Sequence, residues 1–149
     1  MLDMPESQVI KTVLGFDFGM KNIGVALGQS LTGTARPVAT LQAQDGAPQW
    51  QEIQALINDW QPQLLLVGLP LHMDGSEQML TKAARRFGNR LHGRFKLPVE
   101  WVDERLTSFE AEMHLSDLKP VDTNDKLSID SVSAQLIVQQ YFKQQTQRQ

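Results

Sequence analysis

Apolar positions along this chain follow two different periods. In the first forty residues they come in short runs: Thr12–Asp17 (TVLGFD), Ile23–Leu27 (IGVAL) and Ala35–Leu41 (ARPVATL) each read as a strand. Gly19, Gly28 and Gly33 fall near the joints, where tight turns need permissive residues. Three strands so closely spaced imply an antiparallel meander. The period then lengthens. Trp50, Ile53, Leu56, Ile57 and Trp60 recur at helical spacing, so 48–60 is expected to form an amphipathic helix, stopped by Pro62.

Leu64–Leu69 (LLLVGL) has no polar alternation, the mark of a strand buried on both faces. Ser76 is expected to cap the next long helix, with Glu77 in its first turn and Met79, Leu80, Ala83, Phe87 and Leu91 on its inner face. Pro98–Val102 reads as another buried strand. Thr107 fits the cap of a short helix through Phe109, Glu110, Ala111 and Met113, and the polar stretch 116–125 reads as a loop. From about Lys126, the positions of Ile129, Val132, Leu136, Ile137, Gln140 and Tyr141 mark a final helix, with a polar tail from Lys143 that should fray. The order βββ-α-β-α-β-α-α predicts an α/β sandwich around a mixed sheet. It forms one domain over 1–149, with 1–10 and 144–149 loosely held.

Composition narrows the chemistry. With 149 residues, 41% of them hydrophobic, the chain can bury one core. It has no cysteine, which excludes disulfides and thiolate metal sites, so any metal must be held by oxygen or imidazole. The N-terminus lacks the features of a signal peptide and no stretch approaches the length of a membrane span. A soluble, cytoplasmic protein without a membrane partner is expected. P-loop, dinucleotide and nucleophile-elbow motifs are absent, and His72, His92 and His114 show no ligand spacing. The net charge of -3 argues mildly against a protein that coats nucleic acid. Yet six of the 14 Lys and Arg residues fall between Lys82 and Lys96 with no acid among them. Lys82, Arg86, Arg90 and Arg94, four apart, form a stripe that can track phosphates; a solvated helix face is the plain alternative.

Acids stand at three places where acids are costly. Asp17 ends an apolar strand, Asp103 and Glu104 follow another, and Asp130 lies in an apolar helical register four residues after Lys126. Taken singly, these read equally well as a turn cap, a surface Glu104–Arg105 pair and a solvated Lys126–Asp130 bridge. Taken together, Asp17, Glu104 and Asp130 supply three hard oxygen donors, a set suited to Mg²⁺ or Mn²⁺ and to phosphodiester hydrolysis. Gly68-Leu69-Pro70 to Asp74-Gly75 leads into a helix N-terminus, where backbone N–H groups can hold a phosphate; a plain strand-to-helix connection fits as well.

Four blocks in order resemble a known family. Asp17-Phe18-Gly19-Met20-Lys21-Asn22-Ile23-Gly24-Val25-Ala26 is similar to the opening of the YqgF family, also called RuvX. Gly68-Leu69-Pro70-Leu71 with Met73-Asp74-Gly75-Ser76 is similar to its second block. Asp103-Glu104-Arg105-Leu106-Thr107-Ser108 resembles its third, and Lys126 with Ile129-Asp130-Ser131 its last. The chain departs from the family pattern at Asn22, His72 and Ser133, where Arg, Asn and Ala are more usual. The resemblance implies an RNase H-like fold related to RuvC-type Holliday junction resolvases, with Asp17, Glu104 and Asp130 as metal-binding catalytic residues. Lys126 and Arg105 would contact phosphate or balance charge. It implies trimming of the 5′ end of 16S rRNA precursor in the cytoplasm, on a structured RNA or a pre-30S ribosomal particle. A DNA junction resolvase with the same site and an rRNA-binding assembly factor that does not cut remain the alternatives. An actin-like ATPase fragment, which also opens on a D-x-G strand, needs a longer chain.

Overall fold

The computed structural model describes residues 12–105 and 129–147. The strands are β1 (Thr12–Asp17), β2 (Asn22–Gln29), β3 (Thr34–Gln44), β4 (Ala47–Pro48), β5 (Leu64–Leu69) and β6 (Val99–Asp103), and the helices α1 (Trp50–Trp60), α2 (Met79–Phe95) and α3 (Ile129–Gln147). They build one mixed sheet in the order β4-β3-β2-β1-β5-β6. β1, β2 and β3 form the antiparallel meander, and β5 and β6 then add in parallel beside β1. β1, β5 and β6 therefore point their C-terminal ends, Asp17, Leu69 and Asp103, the same way. The two-residue β4 carries no hydrophobic period and was not anticipated. The expected elements at Thr107–Met113 and 116–125, and the start of the last helix near Lys126, lie outside the described residues.

Strand alternation sorts the side chains onto two faces. Leu14 and Phe16 of β1, Ile23, Val25 and Leu27 of β2, and Leu65, Val67 and Leu69 of β5 pack with Ile53 of α1 and with Ala84, Phe87 and Leu91 of α2. Phe87 is the hub of that layer, meeting Phe16 edge-on at 5.6 Å, Phe18 at 5.2 Å and Trp50 at 6.0 Å between ring centroids. On the opposite face Val13, Ala26, Leu64, Leu66 and Val102 pack with Ala134, Ile137, Val138 and Tyr141 of α3. That face is lined with glycine. A Cβ on Gly15 or Gly28 would overlap Val138, and one on Gly24 would overlap the backbone of Asp130 and Ser131. The missing side chains let α3 lie directly on β1 and β2.

Two local expectations are corrected. Ser76 does not cap α2. Residues 71–77 fold back on themselves through a Leu71–Glu77 bridge and a left-handed Gly75 (φ 89), and Asp74 accepts hydrogen bonds from both the N–H and the hydroxyl of Ser76. The helix starts three residues later, closed by a reciprocal box between Gln78 and Thr81. Its inner face shifts accordingly. Thr81, Ala84, Phe87, Gly88 and Leu91 are buried, whereas Met79 is 88% exposed. Ile129, expected on the inner face of the last helix, is 56% exposed. α3 also runs on to Gln147, into the polar tail.

Candidate active site

Asp17 follows Val13 and Gly15 in alternation and so turns to the α3 face, where it pairs in register with Gly24. Glu104 lies just past β6, its N–H donating to the Leu69 carbonyl at 3.1 Å. It shares the face of Val102. β5 stands between β1 and β6, so the two carboxyls meet only by crossing it. The crossing is made over Gly68, whose Cβ, if present, would overlap Glu104 and come within 2.6 Å of Ile137 Cδ1. The glycine leaves the slot in which Glu104 reaches a hydrogen bond with Asp17.

Electrostatics mark this pair. Burial raises the Asp17 pKa; the hydrogen bond from Glu104 works against that rise and the nearby Asp130 charge adds to it. Glu104 is pushed up to about 10, by burial first, then by its hydrogen bond to Asp17 and by the charges of Asp17 and Asp103. The two acids thus share one proton between them at neutral pH, and titrate as a pair rather than as separate residues. Asp130, in the first turn of α3, is brought close by the contact of its backbone with Gly24, and burial raises its pKa as well.

Two half-buried carboxyls in contact, with a third in electrostatic reach, are costly unless a cation compensates them. The donor chemistry fits a hard divalent ion: oxygen ligands only, and a proton at the position a cation would neutralise. Among the described residues no three His, Cys, Asp or Glu side chains stand close enough together to form a ready-made cage. Asp17 and Glu104 are joined, and Asp130 stands off from them.

The remaining candidates separate. Arg105 does not pair with Glu104. Its Nε lies 2.9 Å from Asp103 Oδ2, its N–H donates to Asp103 Oδ1 at 2.9 Å, and Nη1 donates to the Met73 carbonyl at 3.2 Å. This pairing holds Asp103 below the usual carboxylate range and ties strand β6 to the 71–77 hairpin. Lys82, Arg86, Arg90 and Arg94 are all exposed along α2, on the sheet face opposite α3. Only the N-terminal end of this stripe approaches the strand ends that carry the acids. Arg94 sits 4.3 Å above the Trp50 ring, and Arg85 bridges Glu77 at 3.3 Å. Lys126 lies outside the described residues. The sequence places Gly24 and Gly68 in the family blocks but does not reveal that they clear room for Asp130 and Glu104, although a glycine inside an otherwise large apolar strand was the available signal.

Known proteins share this architecture. RuvC of T. thermophilus in complex with a Holliday junction substrate superposes with a TM-score of 0.58 at 13% identity, covering 91% of this chain and 96% of that one. The yeast mitochondrial Holliday junction resolvase Ydc2 gives 0.56 at 12%, covering 93% and 80%. At such identities the likeness establishes the fold, the RNase H-like α/β architecture of RuvC-type resolvases. Sequence goes further: the chain belongs to the RuvX family, whose model, described as Holliday junction resolvase, matches residues 11–144. A relative from Aeromonas salmonicida is 53% identical over 91% of this chain and 96% of its own length. One from Nitrosococcus oceani is 53% identical over 97% and 94%. Both are named, provisionally, as pre-16S rRNA nucleases.

Proposed function

We propose that this chain is a divalent-metal-dependent nuclease that trims the 5′ end of 16S rRNA precursor, with Asp17, Glu104 and Asp130 as its ion-holding groups. The observation that carries the reading is the half-buried, hydrogen-bonded Asp17–Glu104 pair, assembled across Gly68 at the C-terminal ends of parallel strands. Strand ends of this kind are where α/β sheets place their ligands. An assembly factor that only binds rRNA has no use for two acids pressed against each other. The names of the relatives supply the substrate, and the family fold supplies the reaction class.

Asp17 and Glu104 would exchange their shared proton for a Mg²⁺ or Mn²⁺ ion, and Asp130, the more open acid, would complete the ligand set. Such an ion, when bound, polarises the scissile phosphate and lowers the pKa of a water. Lys82, Arg86, Arg90 and Arg94 would hold flanking phosphates and set the strand's path, with Lys126 as a further candidate for phosphate. No helix among the described residues is long and apolar enough to cross a membrane. A substrate made in the cytoplasm, bare or within a pre-30S particle, places the work there.

The test is cleavage of an end-labelled 16S leader RNA and of a four-way DNA junction with Mg²⁺ or Mn²⁺, comparing wild type with Asp17→Asn. Metal-dependent cutting of the RNA, lost in a folded Asp17→Asn protein, is the expected result. Cutting of the junction alone moves the substrate to DNA recombination. Retained cutting by the variant removes Asp17 from the site.

A further inference from the structure

A groove of about 510 Å³ runs between the β1–β2 turn and the first half of α2, lined by Met20, Met79, Leu80, Lys82, Ala83 and Arg86. Its floor is thioether and alkyl carbon, and its rim carries two cations. Every methionine among the described residues is exposed: Met20 at 44%, Met73 at 84% and Met79 at 88%. Large apolar side chains left in water at one end of a sheet mark a binding surface, and methionine suits one that must accept varied shapes.

The walls are fixed in advance. The Met20 carbonyl accepts the Gly46 N–H at 2.9 Å, and the Lys21 carbonyl accepts that of Ala43 at 2.7 Å, pinning the turn to the β3–β4 corner. On the other side the buried Thr81 hydroxyl donates to the Pro70 carbonyl and accepts the Gln78 N–H at 2.9 Å, locking the start of α2. The neighbouring cations are engaged, Arg85 by Glu77 and Arg105 by Asp103. Lys82 and Arg86 have no acidic partner among the described residues. Met20 follows Asp17 by three residues, so their Cα atoms lie within about 11 Å of each other at 3.8 Å per step. The groove therefore lies at the same end of β1 as the acids, where one strand a few nucleotides long, at about 3.4 Å of axis each when stacked, can engage both.

We propose that this groove holds an unpaired nucleotide of the substrate strand, its base against Met20 and Met79 and its flanking phosphates on Lys82 and Arg86. The proposal rests on the reading of Asp17 and Glu104 as a phosphodiester-cleaving site and adds the substrate class, a single-stranded stretch beside the cut. Bases in a duplex are stacked and paired and cannot present a face to the floor, whereas an unstacked base can. The lining has no uncharged hydrogen-bonding side chain to read a base edge, so the preference is for strandedness rather than sequence.

The experiment measures fluorescence anisotropy of a short labelled single-stranded RNA, and of the same strand annealed to its complement. It is done in EDTA so that no cleavage intervenes. Met79→Ser, at an exposed position that leaves the fold intact, is expected to weaken single-strand binding by about fivefold to tenfold. Duplex binding and the salt dependence stay unchanged. Lys82→Ala with Arg86→Ala is expected to flatten the plot of log affinity against log salt by about 1.4, roughly 0.7 for each phosphate no longer neutralised. Unchanged single-strand affinity in Met79→Ser overturns the proposal. So does a shift of the free protein from dimer to monomer in that variant, which assigns the face to a second copy. Wild-type protein that cuts nothing yet binds single strands in this way removes the cleavage reading and keeps the groove. Cleavage by wild type with wild-type binding in the groove variants does the reverse.

Discussion

On the α1–α2 face the central strands present Leu14, Phe16, Ile23, Val25, Leu27, Leu65 and Val67, whereas at alternate positions on the α3 face they present Gly15, Gly24, Ala26, Gly28 and Gly68. One face is thick with side chains throughout; the other, though Val13, Leu64 and Leu66 also point there, is cleared where α3 crosses β1 and β2 and where Glu104 crosses β5. Large side chains hold two helices at a distance set by their own bulk, and that layer holds the larger of the buried apolar clusters. The cleared face lets a helix backbone come down onto the strands. That close approach brings Asp130 toward Asp17, and the bare Gly68 gives Glu104 room to cross β5. Stability and site are thus allotted to opposite sides of one sheet.

Substitutions on the two faces should separate the two properties. Phe16→Ala removes a fully buried ring packed against the Phe87 hub of the filled face and is expected to cost about 3–5 kcal/mol in chemical denaturation. Cleavage per folded molecule should stay near wild type. Gly68→Ala adds a single Cβ on the cleared face, where it meets Glu104 and Ile137. It should cost less, about 1–3 kcal/mol, yet remove cleavage, because the added carbon occupies the slot that Glu104 uses. If Phe16→Ala lost activity at full folding while Gly68→Ala kept it, the division between the faces would be wrong.

The legibility of the chain divides along the same line. β1 and β5 were readable to the residue because uninterrupted apolar runs leave no other assignment, and α1 was readable from five apolar positions at one period. The acids were readable as candidates because Asp17 and Glu104 stand where apolar strands end. Their partnership was not, since it depends on a third strand's glycine and no local pattern reports what crosses what. The start of α2 was misplaced for a similar reason: Ser76 has the chemistry of a cap, but Asp74 two residues earlier engages it first. Arg105 likewise took Asp103 instead of Glu104, a choice between two adjacent acids that strand alternation alone does not decide.

The proton held by the acids should give the metal-free protein a distinctive pH dependence. Glu104 has a raised pKa in the folded state, from 4.5 to about 10, so the native chain keeps a proton that the unfolded chain has released. Stability from this group is full below the unfolded value and is lost as pH rises through the window toward the folded one. Thermal unfolding in EDTA should therefore show stability falling between pH 5 and pH 9, by at most about 1.4 kcal/mol per pH unit for one retained proton. Glu104→Gln, which cannot lose that proton, should flatten the curve. Mg²⁺ should raise stability most at the alkaline end, where the carboxylates it needs are already charged. A wild-type curve as flat as that of the variant would show that the two acids do not share a proton.

The smallest expected effect concerns Arg105, which the sequence offers as a phosphate contact and the fold uses as a brace. Its guanidinium is spent on Asp103 and on the Met73 carbonyl, at the edge of the sheet rather than on the cleared face. The pair is partly open to water, with side-chain exposures of 33% and 36%, so screening keeps its contribution to stability slight. A phosphate contact and a brace differ in what salt does to binding. If Arg105 touches the RNA backbone, Arg105→Ala should reduce the salt slope by about 0.7–0.9. If it only holds the 71–77 hairpin against β6, the slope stays constant and the hairpin amides exchange faster with solvent, with Asp103→Asn reproducing the effect. The second outcome is expected, because releasing Arg105 to a phosphate would leave Asp103 as an uncompensated negative charge beside Glu104.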